Sequence, residues 1–299
     1  PSWDYDVINE ALRKRNGIFR SKKPPMGTVS PSMLANSRYI ADKQINEGAY
    51  AAPDETKLIV TMSPSGGVGK ALPNDFAIPC YDGDRVTMAT VGDISVGDSV
   101  VGSDGKPTMV LGVYPQGELE TYEMTFEDGT TVPCSSNHIW TVIGDDGTRR
   151  DMTTGEMLEA GVTDADGNAI WRIPLASPID GIAVDDGDVR RCVDDVKVGR
   201  SIMLDVISWS QRQRKAVLDA VEEAYGVERD GLDVTVGVPS DMIDAVRTLA
   251  CSLGMRCFVG DGAEDGVTLA YMRHVDSLAI TGIRDLGRKS EMTCLYVEA

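Results

Sequence analysis

Three glycines and a lysine, in Ser63-Pro64-Ser65-Gly66-Gly67-Val68-Gly69-Lys70, are the earliest residues whose types and spacing could do chemistry. They follow the run Lys57-Leu58-Ile59-Val60-Thr61-Met62, which reads as a buried parallel strand. Glycines let backbone N–H groups wrap a phosphate, and a closing lysine reaches the phosphate oxygens. Pro64 stands where such a loop has its first glycine. Two more parts are needed: a Ser or Thr after the lysine to hold Mg²⁺, and a helix whose N-terminus faces the phosphate. Ala71 offers no oxygen, and Pro73 and Pro79 prevent a helix from running through the next segment. Gly66, Gly67, Gly69 and Lys70 therefore read as half of a nucleotide site, interrupted after Lys70. As it stands, the chain is not read as an ATPase.

The elements beyond the interruption differ in kind. Residues 71–142 carry hairpin-type signals at Asp82-Gly83, Asp104-Gly105 and Asp128-Gly129. β-Branched residues crowd between them, and Thr121 to Phe126 alternates. This reads as an all-β domain of short strands. The middle of the chain reads as α/β. Arg212 to Ala224 and Ser240 to Gly254 have helical periodicity, while Val234 to Val238 and Arg256 to Val259 read as strands.

Composition sets further bounds. The 299 residues suit two to three domains, and 42% hydrophobic content can bury real cores. Aromatics make up 6%, so those cores rest on aliphatic residues. Residues 1–70 carry 10 Lys+Arg and 7 Asp+Glu, whereas the other 229 carry 19 and 40. The net charge thus swings from +3 to −21 across the interruption, as expected for two unrelated pieces. The total of −18 argues against a free-standing nucleic-acid binder. No apolar run approaches the ~20 residues of a membrane span. The chain starts at Pro1 with no signal peptide and is expected to be a fragment. Six cysteines do not make a disulfide scaffold, so a cytoplasmic location is expected.

Four stretches from residue 71 onward carry a resemblance. Ala71-Leu72-Pro73-Asn74-Asp75-Phe76-Ala77-Ile78-Pro79 resembles the opening block of an intein. Gly92-Asp93-Ile94-Ser95-Val96-Gly97-Asp98-Ser99-Val100 is similar to that family's second conserved stretch. Asp128-Gly129-Thr130 with Ser135-Ser136-Asn137-His138 resembles the next block, with Ser135 where Thr is usual. Met292-Thr293-Cys294-Leu295-Tyr296-Val297-Glu298-Ala299 resembles a late block in which most members carry Asp at the position of Cys294. Most inteins begin with Cys or Ser; Ala71 has no nucleophilic atom. A subgroup, class 3, uses an internal Cys in the late block, paired with a Trp two residues after the block His. His138-Ile139-Trp140 and Cys294 match that pair.

The resemblance implies a mainly β fold: a Hint (hedgehog/intein) β-domain, interrupted by a small α/β insertion and preceded by an α/β P-loop fragment. The expected bounds are 1–70 for the flanking host segment (the N-extein). The splicing domain is expected at 71–148 and 272–299, incomplete at its C-terminus, and the insertion at 149–271. Cys294 is the implied nucleophile toward the carbonyl of Lys70 at the Lys70–Ala71 junction. His138 would contact the scissile amide and protonate the leaving nitrogen. Ser135 would hold the junction through its hydroxyl, and Trp140 would pack beside Cys294. Cys80 and Cys134 read as packing residues, and Cys251, Cys257 and His274 lack the tight spacing of a zinc site.

The insertion is similar to half of a LAGLIDADG homing endonuclease, with Leu218 to Gly226 on the motif and Tyr225 at its metal-binding Asp. A phenol cannot replace that carboxylate, so a degenerate, non-cutting unit is expected, with no metal. Splicing would need no cofactor and only the chain's own flanking segments as partners. The intein itself would bind neither membrane nor nucleic acid. The host is expected to be a P-loop ATPase that uses ATP and Mg once spliced. A phage terminase large subunit acting on phage DNA is favoured, with DnaB-like helicases and ParA-like ATPases as alternatives. Two readings from other classes stay open: a P-loop nucleotide-binding protein with an all-β extension, and a non-splicing β-domain that anchors an interaction module.

Overall fold

Two long antiparallel strands carry the first sheet. They are β5 (Pro107–Phe126) and β14 (Ser277–Val297), paired from Ile280 opposite Phe126 to Val297 opposite Val110. The computed structural model describes residues 71–298 apart from 201, 203, 232 and 261–265. The expectations for residues 1–70, the phosphate-loop glycines and Lys70 among them, lie outside the described residues. Between β5 and β14 the register shifts four times, near Gly282, Lys289, Thr293 and Val297. Such irregularities bend and twist a strand, so one strand can serve both ends of the sheet. The expectation of short strands over 71–142 misses β5, whose alternation weakens at its polar middle.

The remaining strands join this pair. They are β1 (Ala71–Pro73), β2 (Ala77–Asp82), β3 (Arg85–Thr90), β4 (Ser99–Val101), β6 (Thr131–Cys134), β7 (Ile139–Gly144), β8 (Arg149–Thr153) and β9 (Trp171–Pro174). The order is β3-β2-β4-β5-β14-β9-β7-β8, with β1 on β14 and β6 on β5. Helix α1 (Thr154–Ala160) follows β8 directly. Met124, Phe126, Val132, Trp140, Val142, Met157, Ile173, Leu278 and Ile280 form the core here. The mainly β reading of this part of the chain agrees with the strands observed.

Strand pairing draws the limits of the middle unit elsewhere than 149 and 271. Residues 149–174 contribute β8 and β9 to the first sheet, where β8 pairs β7 and β9 pairs both β7 and β14. Arg149, Arg150 and Asp151 are exposed on an edge strand, so their polarity hides the strand from a sequence reading. The second sheet is antiparallel, β10-β11-β13-β12, from β10 (Gly226–Asp230), β11 (Asp233–Pro239), β12 (Arg256–Val259) and β13 (Val267–Arg273). Helices α2 (Asp186–Lys197), α3 (Gln211–Tyr225) and α4 (Ile243–Ser252) accompany it. α3 buries Arg214, Val217, Leu218 and Val221, a three-to-four spacing that makes one helix face. The helix expected over Ser240 to Gly254 begins as a 3₁₀ turn, Ser240–Met242. α2 escapes the sequence reading because its stripe of Val189, Cys192 and Val196 is set among aspartates. Among the described residues, no helix is long and apolar enough to cross a membrane.

The middle unit is fastened to the first sheet by main-chain bonds. Asp180 N–H donates to Gly105 O at 2.7 Å, and Ser177 N–H to Ser103 O at 2.8 Å. Gly105 has φ +79°, and a Cβ there would collide with the Pro178 carbonyl, so this approach demands glycine. Arg214 is fully buried. Its guanidinium donates to Ser252 O at 2.5 Å and to Ile179 O. The Tyr81 hydroxyl lies 2.8 Å from Gly105 O and 2.9 Å from Asp180 O. Burial pulls the Arg214 pKa down to about 10, opposed by Tyr81 and Asp180, so it remains a cation at neutral pH. Replacing Arg214 by Ala strands two buried carbonyls and should cost about 2–4 kcal/mol in urea unfolding. Arg214→Lys should recover little of this, because one ammonium lacks the fork that spans both acceptors.

Candidate active site

The site starts from a three-residue strand. β1 lies antiparallel to the end of β14, with Ala71 opposite Cys294, Leu72 opposite Thr293 and Pro73 opposite Met292. Residues directly opposite in such a ladder have Cα atoms about 4.5–5.5 Å apart. Ala71 and Cys294 are each 3% exposed and pack with Met292, flanked by Tyr114 and Leu119. A strand this short needs outside support, and Asn74 supplies it. Its N–H donates to Glu291 O at 2.8 Å, its carbonyl accepts from Gly92 N–H at 2.9 Å, and its Oδ1 accepts from Thr293 Oγ1 at 2.7 Å. The stretch Gly92 to Val100 thus acts partly as the anchor for the turn after β1. Asn74 is a site residue that sequence reasoning did not single out; an Asn after Pro between two strands was the available signal.

The loop from Ser135 to His138 closes over β1. Ser135 N–H donates to Ala71 O at 3.3 Å, and His138 N–H donates to Ser135 O at 3.1 Å. The buried His138 Nδ1 lies 3.2 Å from the same Ala71 O. A carbonyl only accepts, so Nδ1 is the protonated nitrogen in this arrangement. His138 therefore reaches the junction residue on its carbonyl oxygen, which belongs to the peptide after the Lys70–Ala71 amide. The Ser135 side chain was expected to hold the junction. Its main-chain N–H makes the observed bond, and its buried Oγ has no hydrogen-bond partner among the described residues.

Trp140 was expected beside Cys294. It packs with Phe126 and the other residues of the first-sheet core, and Cys294 is grouped with Ala71 and Met292. The Trp140 ring lies 4.6 Å from the His138 ring, centroid to centroid, tilted by 51°. Its Nε1–H donates to Thr154 Oγ1 at 2.9 Å. Strand parity sets this direction: successive side chains of β7 face opposite sides, and Trp140 and Val142 take the buried face.

The other thiols lie in ordinary packing. Cys80 is on β2 opposite Thr87 and Val100. Burial, with Asp98 adding to it, pushes its thiol up to about 12. Cys134 ends β6, its Sγ 3.4 Å from Thr154 Oγ1. Burial raises it to about 12 against the Thr154 bond. Among the described residues, no three His, Cys, Asp or Glu side chains are grouped to hold a metal ion.

No family model matches the chain. Over 85 residues it is 40% identical to the replicative DNA helicase DnaB of Mycobacterium intracellulare, a match covering 28% of this chain and 14% of that protein. Over 84 residues it is 34% identical to the replicative DNA helicase DnaB of Mycobacterium leprae, covering 28% and 13%. The chain thus spans about one seventh of the length of these curated relatives. Among solved structures, the gp41-1 intein shares 28% identity over 29% of this chain and 59% of its own, with a TM-score of 0.24. The MchDnaB-1 intein shares 28% identity over 34% and 65%, with a TM-score of 0.25.

The thiol environments make a direct prediction. A thiol with a pKa near 12 is protonated at pH 8, and only the thiolate alkylates rapidly. Iodoacetamide applied to the native protein at about pH 8 should leave Cys80 and Cys134 unmodified, with partly exposed Cys251 labelled before either. Peptide mass spectrometry reads the order. Labelling of Cys134 before unfolding would contradict the burial described.

Proposed function

We propose that the chain is a protein-splicing element of the class 3 intein kind, acting at the Lys70–Ala71 bond. The observation that carries this reading is the pairing of Ala71 with Cys294 across two antiparallel strands. It puts the one residue that interrupts the phosphate loop beside a late-block cysteine more than two hundred residues away in sequence. The intein-like blocks in the sequence support the same reading independently.

In the proposed step, the Cys294 thiolate attacks the carbonyl carbon of Lys70. A C–S bond forms as the C–N bond to Ala71 breaks, and the leaving nitrogen takes a proton. The product is a thioester that carries residues 1–70 on Cys294. His138, held at the Ala71 carbonyl by Nδ1, is the proposed proton donor, since the Ala71 nitrogen belongs to the residue it already grips. Trp140 acts on this step through the His138 ring it packs against. Ser135 N–H shares the Ala71 carbonyl with His138 and helps to keep residue 71 extended.

The proposed splicing domain is the first sheet. Its host segment is residues 1–70, which would regain a complete phosphate loop on ligation and use ATP and Mg. The names of the two curated relatives favour a helicase among the host candidates. The helix-strand-strand-helix-strand-strand order over 211–273 supports a LAGLIDADG-like origin for the middle unit. Tyr225 and a net charge of −21 on residues 71–299 oppose nuclease activity.

Intact-mass spectrometry of the chain with added thiol or hydroxylamine tests the acyl transfer. Release of residues 1–70 and 71–299 is expected. Cys294→Ala should abolish it and Cys80→Ala should leave it unchanged. His138→Ala should slow it by about 10²-fold, the usual scale for losing a general acid. Release at the parental rate from Cys294→Ala would overturn the assignment. A second assay, Mg²⁺-dependent cleavage of the uninterrupted host gene, should show no cutting; cutting would restore the nuclease reading.

A further inference from the structure

We propose that Thr154 is a positioning residue of this site, which sets the His138 imidazole against Ala71 through Trp140 and the His138 main chain. The assignment rests on geometry; its catalytic consequence rests on the acyl-transfer reading above. Thr154 is fully buried and is the first residue of α1. Its N–H donates to His138 O at 3.0 Å, and the next N–H, of Gly155, donates to Ser136 O at 2.8 Å. The first N–H groups of a helix have no partner within it. Here they are satisfied by the loop that reaches Ala71.

The Thr154 hydroxyl ties in two further residues. It accepts the Trp140 indole N–H at 2.9 Å, and it lies 3.4 Å from Cys134 Sγ and 3.5 Å from His138 O. An indole nitrogen only donates, so the hydroxyl proton is left for the His138 carbonyl or the Cys134 sulfur. One side chain thereby links β6, the His138 loop and β7. The Trp140 ring held in this way lies 4.6 Å from the imidazole, which limits the tilt that the imidazole can take. Nδ1 then falls 3.2 Å from Ala71 O. No described contact joins Thr154 to Ala71, so its effect passes through His138.

Local sequence fixes where this hydroxyl lies. Thr153 caps α1, accepting from Glu156 N–H at 3.1 Å, while Glu156 accepts from Thr153 N–H at 2.7 Å. This reciprocal cap sets the start of the helix and so the position of Thr154. Valine has nearly the same shape and no hydroxyl, which makes it the informative replacement.

The test uses the chain of residues 1–299 with Thr154→Val and Thr154→Ser. Two readouts are taken: thiol-induced release of residues 1–70 across about pH 6 to 9, and NMR of the Trp140 indole N–H and the His138 ring. His138 and His274 are the chain's two histidines, and His274→Gln assigns their signals. Thr154→Val should slow release by about tenfold to hundredfold, displace the pH–rate midpoint, and move both sets of signals. Thr154→Ser should return the rate to within about threefold of the parent and restore the midpoint. A Thr154→Val protein that is merely less stable, with parental midpoint and His138 signals, would overturn the proposal. If the parent releases nothing, the acyl-transfer reading fails, and the His138 signals alone decide the positioning role. If Thr154→Val does not fold, Trp140→Phe removes the same hydrogen bond from the other side. An unchanged midpoint and unchanged His138 signals there would equally overturn it.

Discussion

The register between β1 and β14 is the constraint on which the candidate site depends. A shift of one residue would turn Cys294 to the other face of the sheet and leave Ala71 opposite a residue without a thiol. Three antiparallel pairs are too few to hold a register alone. The Asn74 turn adds bonds to Glu291 and Thr293 on β14 and to Gly92 after β3. β14 is in turn held by β5 along most of its length, with Cys294 opposite Tyr114. The position of one thiol therefore depends on a ladder that crosses the whole first sheet.

The other half of the site is held differently. The Ser135–His138 loop is short, and its main chain does most of the binding: Ser135 N–H to Ala71 O, and the carbonyls of Ser136 and His138 to the first N–H groups of α1. Side chains then refine it. Trp140 contributes a ring face to His138 and one indole proton to Thr154. A buried hydrogen-bonded network costs little as long as its members are satisfied, and its exception is Ser135 Oγ, which has no hydrogen-bond partner among the described residues.

The middle unit is more than a passenger on a flexible tether. Its approach to the first sheet buries Val86, Val101, Ile179 and Ile207 in one cluster. Ser208 Oγ exchanges bonds with the Val86 main chain at 2.8 and 3.2 Å. Arg214 sits where the Ile179 segment meets the end of α4. Removing such a unit would uncover apolar surface on β2, β3 and β4, so its persistence has a structural reason whether or not it cuts DNA.

Much of the local structure follows from short stretches of the chain. The β-branched residues and Asp-Gly turns after residue 71 specified a β-rich unit. The helical periodicity of Arg212 to Ala224, and the stripe of Met242, Ile243, Val246, Leu249 and Leu253, specified two helices, because apolar spacing and turn chemistry are local properties. The residue types at Cys294, His138 and Trp140 were legible as well, through their blocks. What the sequence did not determine was which groups meet. That His138 grips the Ala71 carbonyl, that Trp140 packs against the His138 ring, and that Asn74 and Thr154 hold the two halves are tertiary decisions. So is the assignment of the polar edge strand Arg149–Thr153 to the first sheet. Each depends on strand register and face parity across separations of up to 223 residues between Ala71 and Cys294, and those are fixed only when the long β5–β14 ladder forms.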